Sequence, residues 1–203
     1  LNEKEVLVEN KEKDYDVLVI AAGSESNFYH VGGAELAFDA YNLSGFKIIN
    51  ERLKQLDSNN AKVTVAGAGF VGLEIVAEAL DLFKARNKKV SVTVVEKMNS
   101  VMPAYNNELA RKIALESLAS RGVKIMLGNG VKQIEKEGLI LEDGNSVETD
   151  LTIWTAGIKS SEVASKIVGA QLNRGYVEVD ERLLIRGKED SFAIGDISFV
   201  KIN

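Results

Sequence analysis

Residues 63–74 read Val-Thr-Val-Ala-Gly-Ala-Gly-Phe-Val-Gly-Leu-Glu, a short apolar run followed by three closely spaced glycines. In the segment Gly67-Ala68-Gly69-Phe70-Val71-Gly72 the G-x-G-x-x-G spacing gives each glycine its own task. Gly67 permits a tight turn, Gly69 lets a pyrophosphate approach the backbone, and Gly72 lets a helix pack against the preceding strand. The helix N-terminus then offers unpaired N–H groups and positive dipole charge to the phosphates. This is the chemistry of dinucleotide binding, and a glycine loop serving packing alone is the alternative. Glu96 closes the next apolar stretch, Val-Ser-Val-Thr-Val-Val-Glu at 90–96, at about the distance where the fingerprint places a carboxylate on the ribose hydroxyls. Such a carboxylate repels a 2′-phosphate and selects NAD(H) over NADP(H). Lys97 follows it directly, and a base at that place accommodates a phosphate, so the preference stays open on this point.

Other residues carry weaker signals. Glu74, just inside the helix after the third glycine, either complements the helix dipole or faces the nicotinamide end of a cleft. Ser191-Phe-Ala-Ile-Gly195-Asp196 ends an apolar strand in a carboxylate that can accept a hydrogen bond from a nucleotide hydroxyl, and an ordinary turn explains it equally well. Trp154, the sole tryptophan, reads as a core or seam residue rather than a stacking platform. Pro103, the sole proline, ends the loop before the next helix. His30, the sole histidine, cannot make a zinc site alone, and no metal site is expected.

Elements that position these residues follow from periodicity. Residues 4–10 are β-like, and Val-Leu-Val-Ile-Ala-Ala-Gly at 17–23 is a continuous apolar run that predicts a strand buried on both faces. Phe46, Ile49, Leu53 and Leu56 have helical spacing, and Asp57-Ser58-Asn59-Asn60 ends that helix and marks a domain boundary. Beyond it, strand and helix alternate: the Val63 run, a helix from Gly72 to Ala85, the Val90 run, a helix from Asn107 to Arg121 stopped by Gly122, and Val123 to Leu127 as strand. Strands alternating with helices imply a parallel sheet with right-handed crossovers. Three short β segments with Glu-Gly and Asp-Gly turns form an antiparallel meander, and Leu151 to Gly157 is a last buried strand. The predicted class is α/β, a Rossmann-like domain of parallel sheet, helices and antiparallel meander, at 59–157 between flanking segments 1–58 and 158–203.

The stretches Asp16 to Gly23 and Asp150 to Gly157 echo one another: each has an Asp seven residues before an Ala-Gly that ends a strand. Two such strands imply paired chain crossings between domains, with a chance likeness as the alternative. The chain has 203 residues, 45% of them hydrophobic, with 25 Lys and Arg against 30 Asp and Glu. The bases are scattered, which argues against nucleic acid and anionic lipid and for a small metabolite. The absence of cysteine removes every thiol mechanism. No apolar run reaches a membrane span, and the acidic opening is no signal peptide, so a cytoplasmic location is expected.

Taken together, the stretches at 15–24 (YDVLVIAAGS), 27–43, 63–80, 94–129, 151–158 (LTIWTAGI), 175–183 (GYVEVDERL) and 191–198 (SFAIGDIS) resemble the two-dinucleotide-binding-domain flavoproteins of the pyridine nucleotide-disulfide oxidoreductase superfamily, and within them type II NADH dehydrogenases. The resemblance implies an FAD-dependent enzyme that passes hydride from NADH to FAD and electrons to a quinone. It implies that Gly67, Ala68, Gly69, Phe70, Val71, Gly72 and Glu96 hold NADH, with Glu74 near the nicotinamide and flavin and with Ala156 and Gly157 lining a domain crossing on the NADH side. It implies that Ala22, Gly23, Gly195 and Asp196 face FAD in the complete enzyme, and that residues 1–58 and 158–203 are parts of the FAD domain. The family's disulfide reductases need a C-x-x-x-x-C that this chain lacks. Also lacking are the first glycine fingerprint and everything beyond the Gly-Asp motif, so the chain is expected to be an inactive middle portion of a larger enzyme that does not retain FAD. Its parent is expected on the cytoplasmic face of a membrane, and a homodimer stays open. A non-catalytic nucleotide sensor, or a ferredoxin-, sulfide- or oxygen-linked reductase, is the alternative.

Overall fold

A computed structural model describes residues 4–57 and 60–200 of the chain. Contacts divide it into two compact units, residues 26–157 and residues 1–25 with 158–203. The second unit begins the chain with β1 (Glu5–Val8), β2 (Lys11–Asp14), β3 (Leu18–Ile20) and β4 (Ser24–Ser26), the last of which leads into the central unit. There follow β5 (Phe38–Asp39), α1 (Leu43–Gln55), β6 (Ala61–Ala66), α2 (Phe70–Ala85), β7 (Val90–Glu96), α3 (Glu108–Ser120) and β8 (Lys124–Leu127). A meander, β9 (Val131–Glu135), β10 (Gly138–Leu141) and β11 (Ser146–Glu148), precedes β12 (Leu151–Trp154). The chain then returns through β13 (Ile158–Ser160), β14 (Leu172–Asn173), β15 (Tyr176–Val179), β16 (Ser191–Ala193) and β17 (Ser198–Val200).

In the central unit five strands pair in parallel in the order β5-β12-β6-β7-β8. Strand geometry sends alternate side chains to opposite faces, and both faces are covered here. Ala61, Val63, Val65, Val92, Val94, Leu151 and Ile153 join the core beneath the helices, with Ile49 and Leu53 of α1, Ile75, Val76, Ala79 and Phe83 of α2, and Leu118 of α3. Their neighbours Ala66, Val95 and Trp154 face the antiparallel meander, packing with Ile134, Leu139, Leu141 and Val147. The result is three layers, which explains why Thr64 and Thr152 are as buried as the apolar residues beside them. Each fully buried Val, Ile or Phe here is worth about 1.5–3 kcal/mol of removal from water.

The helices follow their local signals. Asn42 caps α1 by accepting from the Gly45 N–H at 2.9 Å, and Asn107 caps α3 through the Ala110 N–H at 3.0 Å. Gly122, at φ +80°, ends the turn after α3. The glycine loop enters its helix two residues earlier than periodicity predicts, at Phe70.

Two expectations shift. Compactness draws the first boundary at 25/26, so the central unit also takes in residues 26–58, because β5 joins the sheet beside β12 and α1 buries Ile49 and Leu53 in the same core. Of the polar cluster expected as the boundary, Ser58 and Asn59 lie outside the described residues. The strand at 17–23 is three residues long, and it is not buried on both faces: Val17 and Val19 are 60% and 54% exposed. Its only ladder partner among the described residues is β16, and the face carrying Val19 is left open.

The unit built from both ends has its own small core of Ala164, Val177, Val179, Ile185, Ala193 and Ile197. Within it β15 pairs with β14 and β17, β3 pairs in parallel with β16, and β1 pairs with β2. β4 and β13, which carry the outgoing and returning chain, pair with each other. Among the described residues no helix is long and apolar enough to cross a membrane.

Candidate functional site

Strand β6 runs into the glycine loop, and the loop is held by backbone rather than by side chains of its own. The Gly67 N–H donates to the Val95 carbonyl at 2.8 Å, and the Met102 N–H donates to the Ala68 carbonyl at 2.7 Å. Gly67 adopts φ +110°, and a methyl group there would lie 2.7 Å from the Thr155 hydroxyl and 2.8 Å from Ala156 Cα. A methyl group on Gly72 would meet the Gly67 carbonyl and lie 2.8 Å from the same hydroxyl. The first and third glycines are therefore demanded by protein packing. Gly69 differs, since a methyl group there would have nothing within 4 Å. The space over the middle glycine is open, at the N-cap of α2, where no side chain caps the helix as Asn42 and Asn107 cap the other two. The first-turn N–H groups of α2, with Phe70 53% exposed beside them, face a ready anion-binding position.

Glu96, at the end of β7, is 9% exposed. Its carboxylate accepts from the Ala68 N–H at one oxygen and from the Met98 N–H at the other, each at 2.8 Å. One residue thus links the glycine loop to the end of the neighbouring strand, and each oxygen keeps capacity for a further hydrogen bond. Gly67, Glu96, Lys97, Trp154 and Ala156 border one cleft of about 400 Å³ at the C-terminal ends of β6, β7 and β12. Ligands of open parallel sheets bind at this end, where the strand order reverses. The reversal falls here between β6 and β12.

Several members of this arrangement were not visible in the sequence. Thr155 lies 3.0 Å from both the Ala66 and Gly67 carbonyls and donates its hydroxyl to one or the other. Tyr29 borders the cleft, and its ring fills the space over Gly157, where a methyl group would come within 2.6 Å of it. Trp154 is a core residue, 3% exposed, stacked on Phe28 at 5.2 Å with its indole N–H donating to the Asn27 carbonyl. Glu142 reaches the cleft from the end of β10 and pairs with Lys97 at 2.7 Å, and that hydrogen bond holds its carboxyl below the ordinary carboxylate range. Each of these contacts joins residues far apart in the chain: Trp154 reads as a core residue from its own sequence, but its partners Phe28 and Asn27 do not, and Thr155, Tyr29 and Glu142 carry no local mark of their place at the cleft.

Glu74 is exposed on α2 and borders a separate groove of about 750 Å³ between α1 and α2, with Phe46, Ile49 and Leu53. Pro103 stands in the turn before α3, and its carbonyl accepts from the Arg111 guanidinium. In the other unit, the parallel pairing of β3 with β16 brings Ala22 and Gly23 alongside Gly195 and Asp196, because both pairs follow the C-terminal ends of adjacent strands. The Ser24 hydroxyl donates to Asp196 Oδ2 at 3.0 Å, and Asp196 is exposed. Gly195 takes φ +72° with open space around it.

A three-layered unit with a glycine loop, an uncapped helix and a strand-end carboxylate has the architecture of a Rossmann-type fold. The chain belongs to the pyridine nucleotide-disulphide oxidoreductase family, whose model matches residues 1–203. It is 34% identical to the alternative NAD(P)H-ubiquinone oxidoreductase C1 of Arabidopsis thaliana, over 97% of this chain and 42% of that protein. It is 27% identical to a type II NADH:quinone oxidoreductase of Staphylococcus haemolyticus, over 97% of this chain and 54% of that one. Among solved structures, a ferredoxin reductase from Rhodopseudomonas palustris superposes with a TM-score of 0.84 at 24% identity, covering 97% of this chain and 48% of the other. The chain spans about half the length of the curated relatives it matches.

Proposed function

We propose that this chain is the NADH-binding portion of a flavin-dependent NADH dehydrogenase that passes electrons to a quinone-type acceptor. The observation that carries the reading is the open space over Gly69 at the uncapped start of α2, one strand from a buried carboxylate at the end of β7. The pyrophosphate sits over Gly69 against the helix N-terminus, Glu96 accepts from the adenosine ribose, and Ala156 and Gly157 line the way toward the nicotinamide. Glu74 borders the separate groove between α1 and α2, and only the family resemblance assigns it to the nicotinamide side. Nicotinamide and flavin supply the hydride chemistry when both are bound, and the protein's part is to bind, orient and exclude water. That part requires no acid–base pair from these residues.

The names of the curated relatives, type II NADH:quinone oxidoreductase and NAD(P)H-ubiquinone oxidoreductase, support a quinone as the acceptor and a nicotinamide dinucleotide as donor. Ala22, Gly23, Gly195 and Asp196 fit the edge of a flavin site, offering two turns with glycines at positive φ and one exposed carboxylate. Those contacts are too few to offset the entropy of fixing FAD. The 203-residue chain by itself is therefore expected to bind NADH, to be colourless and to turn over little or not at all.

The test is to record the visible spectrum of the purified chain and then titrate NADH and NADPH. A colourless protein that binds NADH more tightly than NADPH meets the expectation. Stoichiometric flavin absorbance would overturn the flavin part, and no affinity for either dinucleotide would overturn the whole reading.

A further inference from the structure

The cleft at Glu96 contains a charge opposed to its carboxylate. Lys97 follows directly on Glu96, the place from which a cation reaches a phosphate on the ribose 2′-oxygen. Left free, it would draw the site toward NADPH. It is not free, because its ammonium lies 2.7 Å from Glu142 Oε1, and both residues border the cleft with Glu96.

Backbone structure brings Glu142 to this position. Its N–H donates to the Gly130 carbonyl at 2.9 Å, and its carboxylate occupies the space that a side chain on Gly130 would need, 2.9 Å from where a methyl group would stand. The turn that follows is tied down by the Asp143 carboxylate, which accepts from the Asn145 N–H at 2.9 Å, and by the Asp143 N–H to Asn129 Oδ1 at 3.3 Å. The pair is solvated, with the two side chains 70% and 47% exposed, so it adds little to stability and can open for a ligand. Its effect on a ligand is separate. Two carboxylates against one ammonium leave the cleft negative, and a 2′-phosphate has to displace one carboxylate while repelling the other.

We propose that Glu142 is a specificity-determining residue: it engages Lys97, withholds that ammonium from a 2′-phosphate, and so lets the chain take NADH over NADPH. The proposal rests on the reading of this cleft as the adenosine end of a dinucleotide site.

The experiment is titration of NADH and NADPH against the full 203-residue chain, Glu142→Gln and the double variant Lys97→Met/Glu142→Gln, at fixed low ionic strength. Glu142→Gln is expected to tighten NADPH roughly two- to fivefold, the range of a solvated ion pair, with NADH nearly unchanged. In the double variant the gain for NADPH is expected to vanish. An unchanged NADPH affinity in Glu142→Gln, with NADH still binding the parent, would overturn the Glu142 role alone. A gain that persists without Lys97 would also overturn it, since loss of a repelling charge would then suffice. If the parent binds neither dinucleotide, the site reading falls and this proposal with it.

Discussion

Glu96 serves two purposes that substitution can separate. Its side chain accepts from the Ala68 and Met98 N–H groups, and Ala68 is fully buried. Glu96→Ala leaves the Ala68 N–H without a partner and is expected to cost about 1–3 kcal/mol of stability in urea denaturation, apart from any ligand. Glu96→Gln keeps one acceptor oxygen and removes the charge. It is expected to lose less stability and to narrow the gap between NADH and NADPH affinity; unchanged affinities for both would count against the ribose role. The type of residue at 96 and its distance from the glycines were readable in the sequence. Its buried attachment to the loop was not, because Ala68 and Glu96 meet only when β6 and β7 pair in parallel.

Among elements, the three glycines separate loop packing from ligand binding. Gly72→Ala drives a methyl group into the Gly67 carbonyl and the Thr155 hydroxyl, and a helix so forced off its strand is expected to lose about 1–3 kcal/mol. Gly69→Ala meets nothing within 4 Å at φ −71°, a conformation any residue adopts. Its expected signature is an unchanged thermal midpoint with NADH affinity lowered at least several-fold, read by calorimetric titration. Equal NADH binding in Gly69→Ala and parent would remove the pyrophosphate from that spot. Apolar spacing and the polar or glycine stops behind it predicted α1, α2 and α3 to within about two residues, because both signals act locally; the Asn42 and Asn107 caps were not part of that reading. Periodicity misjudged β3, whose apolar run carries no mark of how many sides will be covered.

For the molecule as a whole, lysines hold carboxyls below their ordinary values by hydrogen bonding: Lys88 on Asp57, Lys97 on Glu142, Lys62 on Glu148 and Lys4 on Asp190. A lowered carboxyl binds its proton less readily folded than unfolded. Its contribution is therefore present above the ordinary value, 3.8 for Asp or 4.5 for Glu, and is lost as pH falls through the folded value. The Lys4 and Lys62 ammonium groups are raised by the same partners, so their share is lost only as pH climbs beyond 10.5. Tm followed by circular dichroism is expected to fall as pH drops from about 5 to 3, less steeply at about 1 M salt than at about 0.05 M. A Tm insensitive to acid over that range would remove these pairs from any role in stability.

Features under short-range control are legible residue by residue: a strand, glycine loop and helix in order, a carboxylate one strand later, alternating elements of an α/β unit, and a chain without thiol chemistry. Folding in three dimensions adds which strands are neighbours, that the central unit begins at Ser26, and that Thr155, Tyr29 and Glu142 stand at the cleft. The physical reason is one of separation along the chain. Spacing and capping are settled within a few residues, whereas Lys97 and Glu142 meet across 45 positions, through strand order and a meander folded back over the sheet.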